Sequence, residues 1–324
     1  MQRRVGLAQG DRHVRQRESM LAVAALLALA AGCGKKDPGT TPEGKAGSWP
    51  PAVTADEVAV TKADQLQFRQ ISTVPADNPY AKEWKEAPYV EVPLQPQQMT
   101  VPRLPAASVE KAKVQALTDG KSVSIRVAWP DAVPEGNVDA GRFVDAVAVE
   151  LPLSEGTPQF MGAKGKPVQI LHWKALWQKD VDVHFQDVQD VHPNYWSDLY
   201  WFAEGKFPFP VPASFKNPAS LQWFVAHQAG NPMAVFSRKS PVEELTAEGW
   251  GSLTHQPRSA TTAKGAWTKG TWAVVFTRAL KTDDPADHQF GQKGELAIAV
   301  WNGGGGNVGA RKHWSNWVPF EVKP

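Results

Sequence analysis

Apolar and polar residues alternate along much of this 324-residue chain. In the segment 121–129, Val123, Ile125, Val127 and Trp129 fall on one side, and mostly polar residues lie between them. A repeat of two residues is the pattern of a β-strand with one buried face. Similar alternation marks three further segments, 143–151, 270–280 and 296–300. The chain is therefore predicted to contain many short strands.

Turn residues separate these segments, and helical periodicity is scarce. Asp119-Gly120 and Lys269-Gly270 each precede a strand pattern, and the 27 prolines and 26 glycines favour turns over long helices. The segment 241–249 suits one short helix. The predicted fold class is all-β: an antiparallel β-sandwich with long loop insertions and a few short helices.

Two segments depart from clean alternation. The segment 168–173 is partly apolar on both faces, and the segment from about 176 to 254 is polar, aromatic and irregular. We expect the second segment to pack as loops over one end of the sandwich and to close a pocket. The chain has 14 tryptophans, which suit sugar stacking, a flat apolar cofactor or the filling of a wide core.

The N-terminus resembles an exported bacterial lipoprotein. An uncharged run at 20–32 follows Arg12, Arg15 and Arg17 and ends at Cys33, in the sequence Leu-Ala-Ala-Gly-Cys. The run is shorter than the roughly 20 residues that span a bilayer. We therefore predict a lipoprotein signal peptide at 1–32, lipidation of Cys33, a flexible tether at 33–60 and a folded domain at 61–324. This places the domain on the periplasmic side of a bacterial membrane.

Charge and cysteine content exclude several classes of function. Residues 1–32 carry a net charge of +3 and the whole chain +2, which leaves −1 for the mature protein, so no nucleic-acid partner is implied. Cys33 is the single cysteine, so disulfides, cysteine zinc sites and covalently attached haem are excluded.

Acidic residues and histidines in one stretch offer a candidate metal site. They alternate between positions 182 and 192: Asp182, His184, Asp187, Asp190 and His192. Such residues ligate divalent metals, but alternating Asp and His also occur on solvated loops, which is the commoner case. No spacing indicates a hydrolytic triad, and the glycines at 303–306 are not followed by the Lys-Ser/Thr of a phosphate-binding loop.

A series of motifs in order resembles one known family. They are Asp77–Pro79, Val92–Gln97, Trp129–Asp131, Phe143–Val149, Phe160–Gly162, Val168–Ala175, Pro241–Thr254, Gly270–Phe276, Ala297–Gly303 and Arg311–Ser315. Together, over residues 65–322, they resemble the haem-binding γ subunits of ethylbenzene dehydrogenase, dimethylsulfide dehydrogenase, selenate reductase and chlorate reductase. The glycine-rich loop and His313 depart from the commoner pattern of that family.

The resemblance implies a β-sandwich that holds one non-covalent b-type haem between a methionine and a lysine. The methionine of the Phe-Met-Gly motif is Met161, and the lysine after the glycine-rich hairpin is Lys312. The implied function is electron transfer, without catalysis, to or from a molybdenum/iron–sulfur oxidoreductase. The implied partners are the iron–sulfur subunit of a molybdoenzyme or a periplasmic c-type cytochrome, and the lipid anchor adds the membrane.

The residues themselves agree with this ligand pair. The mature chain has three methionines, Met99, Met161 and Met233, of which Met161 alone precedes a glycine-rich turn into a strand with an apolar face. In an extended strand Lys312 shares the more apolar face, and a buried lysine tends to lose its proton, which leaves the amine able to bind iron. His313, on the opposite face, is the alternative ligand, since a slip of one residue exchanges the two.

A different class of function is also compatible with the sequence. A lipid-anchored carbohydrate-binding β-sandwich without haem would use surface tryptophans to stack on sugars. An absorption spectrum of the haem-supplied protein separates the two hypotheses.

Overall fold

The structure is a computed structural model that describes residues 49–53, 61–195, 215 and 217–322. Cys33, the predicted signal peptide and most of the predicted tether lie outside the described residues. Within the described part, no helix is long and apolar enough to cross a bilayer.

The described chain is built from 14 strands, as the alternation predicted. Their bounds are β1 (Leu66–Gln70), β2 (Val90–Pro93), β3 (Gln95–Pro96), β4 (Lys111–Thr118), β5 (Ser122–Pro130), β6 (Ala146–Pro152), β7 (Val168–Lys174), β8 (Val242–Ala247), β9 (Thr254–His255), β10 (Thr262–Thr268), β11 (Thr271–Ala279), β12 (Lys293–Trp301), β13 (His313–Trp314) and β14 (Val318–Val322). The all-β prediction is confirmed.

The strands form one curled sheet whose two halves face each other. The order is β10-β11-β5-β4-β1-β14-β12-β6-β7-β8-β9, with β2 beside β4, and with β13 beside β12 and β3. Strand β12 joins the halves, because residues 293–296 pair with β14 and residues 297–301 pair with β6. Neighbouring strands are antiparallel except at β1, which runs parallel to β14 and β4.

The main core lies between the two halves. Trp129 and Trp272 come from the first half (β10, β11, β5 and β4), and Trp173 comes from the second half (β12, β6, β7 and β8). The Trp173 ring lies 5.1 Å from Trp272 and 6.4 Å from Trp129, centroid to centroid. These large side chains bury the inner faces of both halves. The outer faces do not form part of this core, so they can differ in what covers them.

Helices are short and lie between strands. They are α1 (Ala175–Asp182), Val188–Val191, Pro218–Leu221 and Val225–Gln228, with 3₁₀ turns at Lys82–Lys85 and Pro232–Ala234. The predicted helix at 241–249 is wrong, because residues 242–247 form β8 and pair with β7. The run Glu243–Glu244 has good helix propensity, but pairing with a buried strand overrides it.

Trp49 bears on the predicted boundary between tether and domain. Its ring lies 5.9 Å from Trp272 and packs against the main core. Residues 49–53 therefore belong with the folded part and not with the tether. The prediction of a tether at 33–60 took no account of the large apolar side chain of Trp49.

Candidate cofactor site

A cavity of about 880 Å³ opens on the outer face of the second half of the sheet. Its floor consists of small side chains at alternate positions of two neighbouring strands, Ala146 and Ala148 of β6 and Ala297 and Ala299 of β12. Because the intervening residues of both strands point into the main core, these strands are apolar on both faces. A flat floor of methyl groups leaves room for a flat apolar ligand.

Larger apolar side chains form the walls of the cavity. Ile170, Leu245, Phe160, Trp301 and Trp314 line it, and the Phe160 and Trp314 rings meet edge to face at 5.2 Å. The volume and the apolar lining match those of small-molecule and cofactor pockets, which enclose roughly 300–1,000 Å³.

Met161 lies at a strained turn on the edge of this cavity. Its φ is 67°, in the left-handed region that side chains rarely adopt. The next residue must be glycine, since a Cβ on Gly162 would lie 2.6 Å from the Lys166 carbonyl oxygen. The Met161 carbonyl accepts a hydrogen bond from the Gly249 N–H at 2.7 Å. The turn thus fixes the backbone from which the thioether enters the cavity.

Lys312 reaches the same cavity from the end of the glycine-rich loop. That loop is held by Asn302, whose side-chain oxygen accepts from the Gly305 N–H at 2.6 Å. Gly303 approaches the backbone so closely that a Cβ would lie 2.2 Å from the Phe143 carbonyl oxygen. Just beyond the loop, the Lys312 carbonyl accepts from the Gln97 N–H at 2.9 Å. These contacts fix the backbone from which the lysine enters the cavity.

The structure brings the two predicted ligands together. Lys312 Nζ lies 3.6 Å from Met161 Sδ, although 151 residues separate them in the chain. These two side chains could hold a metal-containing cofactor in the apolar cavity, the thioether as a soft ligand and the amine once it has lost its proton.

The surroundings of Lys312 favour the form of the amine that binds a metal. Burial lowers the pKa of Lys312, while the negative charge of Glu150 raises it and only partly offsets the burial. The Lys312 Nζ also lies 5.5 Å from the centre of the Trp301 ring, a contact that favours the charged ammonium and, like Glu150, opposes the effect of burial. A lysine of lowered pKa gives up its proton more readily, and the neutral amine is the metal ligand.

His313 is committed to other contacts. Its Nε2 accepts from the Ser108 N–H at 2.9 Å and the Val109 N–H at 3.2 Å, and its Nδ1 donates to the Val300 carbonyl at 3.1 Å. The side chain is buried on the side of the strand away from the cavity. Both ring nitrogens are therefore used in holding β12 and the segment at Ser108.

Two further methionines also border the cavity. Met99 and Met233 line its mouth together with Trp250 and Leu253, and all four side chains are exposed. Trp250, Leu253 and Met233 come from the long insertion, which therefore covers part of the pocket as expected. The aromatic residues of that insertion between 196 and 214 lie outside the described residues.

The predicted cluster between 182 and 192 does not converge on one point. His184 pairs with Asp190 at 2.8 Å, and His192 pairs with Asp139 at 3.0 Å. Asp182 binds Lys264 at 2.6 Å. Asp187 and Asp190 form the capping box of the helix Val188–Val191. These residues cap a helix and form surface pairs, in agreement with the solvated-loop interpretation.

Two polar residues of the cavity were missed by sequence reasoning. Glu150 projects from β6 and His172 from β7, and Glu150 Oε1 and His172 Nε2 have no hydrogen-bond partner in the described part of the chain. Burial lowers the pKa of His172 well below its usual value, assisted by the charges of Lys174 and Lys312. A glutamate inside the apolar strand Ala146–Pro152 was the available signal.

Comparison with known protein sequences assigns the chain to a family. A sequence profile described as "Ethylbenzene dehydrogenase" matches residues 81–313, which include β2 to β12, Met161 and Lys312. The chain belongs to this family. The resemblance found in the sequence motifs is thereby confirmed.

Two relatives of this chain carry names that mention reductases. A protein of Haloferax mediterranei named as a respiratory nitrate reductase heme subunit (ORF7) is 26% identical over 76% of this chain and 68% of its own length. The chlorate reductase subunit gamma of Ideonella dechloratans is 30% identical over 38% of this chain, and the match spans only 54% of that relative.

Among solved structures, a family 9 carbohydrate-binding module from Caldicellulosiruptor kristjanssonii in complex with glucose covers 80% of this chain and 95% of its own. Its TM-score of 0.34 and 10% identity are low. The same module in complex with cellotriose gives a TM-score of 0.32. Likeness at this level carries no functional argument.

Proposed function

We propose that this protein is an electron-transfer subunit that holds one non-covalent b-type haem between Met161 and Lys312. The observation that carries the proposal is the 3.6 Å contact between Met161 Sδ and Lys312 Nζ inside an apolar cavity of about 880 Å³. Membership of the family supports it. The names of the two relatives, a heme subunit and a chlorate reductase γ subunit, point the same way.

The residues of the chain account for the parts of this function that a protein must supply. The alanine floor and the aromatic walls exclude water from a flat ligand. Met161 offers a soft thioether, and Lys312 offers an amine whose pKa is lowered by burial. When bound, haem would supply one-electron transfer, and with Met161 and Lys312 both holding the iron no position would remain for substrate. Electron transfer is therefore favoured over catalysis. A methionine ligand raises the reduction potential of haem iron.

The experiment that tests the proposal is an absorption spectrum of the full chain purified with haem supplied. We expect a Soret band and a six-coordinate low-spin spectrum in both oxidation states. Absence of a Soret band, even after reconstitution with haem, would contradict the proposal and leave the carbohydrate-binding hypothesis standing.

Partner and location complete the proposal. By analogy with the reductases that the relatives' names mention, the domain exchanges electrons with the iron–sulfur subunit of a molybdoenzyme or with a periplasmic c-type cytochrome.

The lipobox sequence that ends at Cys33 supports a lipid anchor on the periplasmic side of the membrane. Replacement of Cys33 by Ser should release the protein from the membrane fraction with its haem spectrum intact. Retention in that fraction after a high-salt wash would refute the anchor.

A further inference from the structure

We propose that Asp131, Glu135 and Asp145 form a calcium site beside the glycine-rich loop, and that a bound Ca²⁺ fixes this loop to the end of the sandwich. One carboxylate oxygen of each residue lies within 4.8 Å of those of the other two. Two oxygens bound to one Ca²⁺ at roughly 2.3–2.6 Å are at most about 5 Å apart. The inference goes beyond the proposed function, because none of the three residues lines the cofactor cavity.

All three residues belong to the connection between the two halves of the sheet. Asp131 follows β5 of the first half, Asp145 precedes β6 of the second half, and Glu135 lies between them. The Asp145 N–H donates to the Glu135 carbonyl at 3.0 Å, and the Glu135 N–H donates to Asp145 Oδ2 at 2.7 Å. The folded backbone of this connection thus gathers the three carboxylates.

No positive side chain in the described part of the chain balances these carboxylates. None of the ion pairs there includes Asp131, Glu135 or Asp145. Burial raises the pKa of Asp131 to about 6 and that of Asp145 to about 8, and in each case a neighbouring carboxylate adds to the effect. Buried charges normally have a partner, and a bound cation would supply it here in exchange for protons.

Two buried oxygens of the cluster are unpaired. Asp131 is only 5% exposed; its Oδ1 accepts from the Val133 N–H at 3.3 Å, but its Oδ2 has no hydrogen-bond partner among the described residues. Glu135 Oε2 is unpaired in the same sense. Buried polar atoms are normally paired. Ionised carboxylates have only acceptors and cannot pair with one another, so two oxygens of this kind side by side point to a cation.

Asp145 and Glu135 connect the cluster to the glycine-rich loop. Asp145 Oδ1 accepts from the Gly303 N–H at 2.8 Å, which leaves this oxygen a second acceptor position for a cation. Glu135 Oε1 lies against Gly304, where a Cβ would be 2.7 Å from it. A cation held by these two carboxylates would therefore restrain the start of the loop.

The donor set selects the ion. Carboxylates are hard ligands that suit Ca²⁺ and Mg²⁺, whereas Zn²⁺ sites mostly use nitrogen and sulfur. Mg²⁺ demands near-ideal octahedral geometry, but Ca²⁺ accepts irregular sets of six to eight oxygens, with water completing the shell. Three carboxylates from one irregular connection therefore fit Ca²⁺ better.

The test is Ca²⁺ binding by the full chain without haem, after a chelator has removed metal. Calorimetric titration up to about 5 mM Ca²⁺ covers extracellular Ca²⁺ modules, which bind at roughly 10⁻⁴–10⁻³ M. We expect saturable binding and a higher unfolding temperature. Asp131→Asn and Glu135→Gln should each weaken binding at least tenfold. Asp139→Asn is the matched control and should bind as wild type does, because Asp139 lies in the same connection but pairs with His192 at 3.0 Å.

Two measurements on the wild-type protein need no variant to fold. Hydrogen exchange of the Gly303 amide should slow when Ca²⁺ is added. Tb³⁺ in place of Ca²⁺ should luminesce on tryptophan excitation and be displaced by Ca²⁺, because Trp272 Nε1 lies 2.9 Å from Asp145 Oδ2. Circular dichroism checks the folding of each variant.

A wild-type protein that binds no Ca²⁺ and shows no displaceable Tb³⁺ luminescence would overturn the inference and leave the carboxylates paired through protons. Unchanged Ca²⁺ affinity in folded Asp131→Asn and Glu135→Gln would overturn it as well. Because haem is absent throughout, neither result depends on whether the proposed electron-transfer function is correct.

Discussion

The outer faces of the two halves of the sheet are built differently. On the first half, the segment 71–87 covers the strands, and Trp84 and Ala87 pack on Leu117 of β4 and Val275 of β11. We call this the closed face. On the second half, the corresponding surface of β12, β6, β7 and β8 borders the cavity, and we call it the open face.

The two faces also differ in how their buried polar groups are paired. On the closed face Gln115 donates to the Trp84 and Ala87 carbonyls at 2.9 and 2.7 Å and accepts from Arg126 at 2.7 Å. On the open face Glu150 and His172 each have an atom without a partner among the described residues. Buried polar groups are normally paired. Small side chains line the open face, and these two unpaired polar atoms border its cavity.

The largest expected effect is a difference in unfolding free energy between tryptophan substitutions on the two faces. Trp84 is fully buried and its Nε1 donates to the Asn78 carbonyl at 3.1 Å, so Trp84→Ala should cost about 3–5 kcal/mol of unfolding free energy. Trp301→Ala, on the open face, should cost the haem-free protein about 1 kcal/mol or less. Denaturant unfolding followed by circular dichroism measures both. Similar losses would remove the distinction between the faces.

A second comparison concerns polar groups. Gln115→Leu leaves Arg126 buried without its side-chain partner and should cost about 3 kcal/mol. His172→Phe removes an unpaired group and should leave the haem-free protein as stable as wild type or slightly more so at pH 7. The same unfolding measurement decides. A strongly destabilised His172→Phe protein would show that the open face is stabilised by contacts within the protein rather than left open for a ligand.

A third pair of substitutions adds volume to each face. Ala273 is fully buried on the outer side of β11, so Ala273→Leu should cost about 1–3 kcal/mol through overpacking. Ala299 lies on the cavity floor, so Ala299→Leu should change stability by about 1 kcal/mol or less. It should nevertheless weaken haem binding more than tenfold, as measured by haem transfer to an acceptor protein. Unimpaired binding in Ala299→Leu would place the ligand elsewhere.

The smallest effect is a pH dependence of the open face. His172 has a lowered pKa, so below about pH 6.5 the unfolded chain binds a proton there that the folded chain does not. Its contribution to stability is therefore lost as pH falls through that value. Between pH 7 and 5.5 the haem-free wild type should lose about 1 kcal/mol more than His172→Phe. Parallel pH profiles of the two proteins would contradict the burial of a neutral imidazole.

The strands that form the core were predictable, and the assignment that failed has a physical cause. In β5, β11 and β12 the period of two reflects one face in the main core, so alternation suffices. In β8, Glu243 faces the cavity and Glu244 accepts from the Thr261 N–H at 2.9 Å. Neither contact is local. A pair of buried glutamates therefore resembled a helix segment until the strand partners were known.

The candidate site was predictable only in part. Met161 and Lys312 could be named from motifs, but their meeting depends on a turn and a loop that are far apart in sequence. The strands of the open face carry apolar residues on both sides, as strands buried on both sides do. The sequence pattern does not distinguish a side that packs against protein from a side that lines a cavity. Glu150 could have been noticed as a glutamate inside an apolar strand, but the hydrogen-bond partners that Glu150 and His172 lack are not visible in a sequence.

The most direct test of the account is the absorption spectrum of three haem-supplied variants measured at neutral pH. Met161→Ala and Lys312→Ala should each lose the low-spin state, because each removes one of the two proposed iron ligands. His313→Gln should retain it, because both nitrogens of His313 already bind backbone groups, which glutamine can partly replace. Low-spin spectra in Met161→Ala and Lys312→Ala, with loss in folded His313→Gln, would contradict the account and move the ligand to His313.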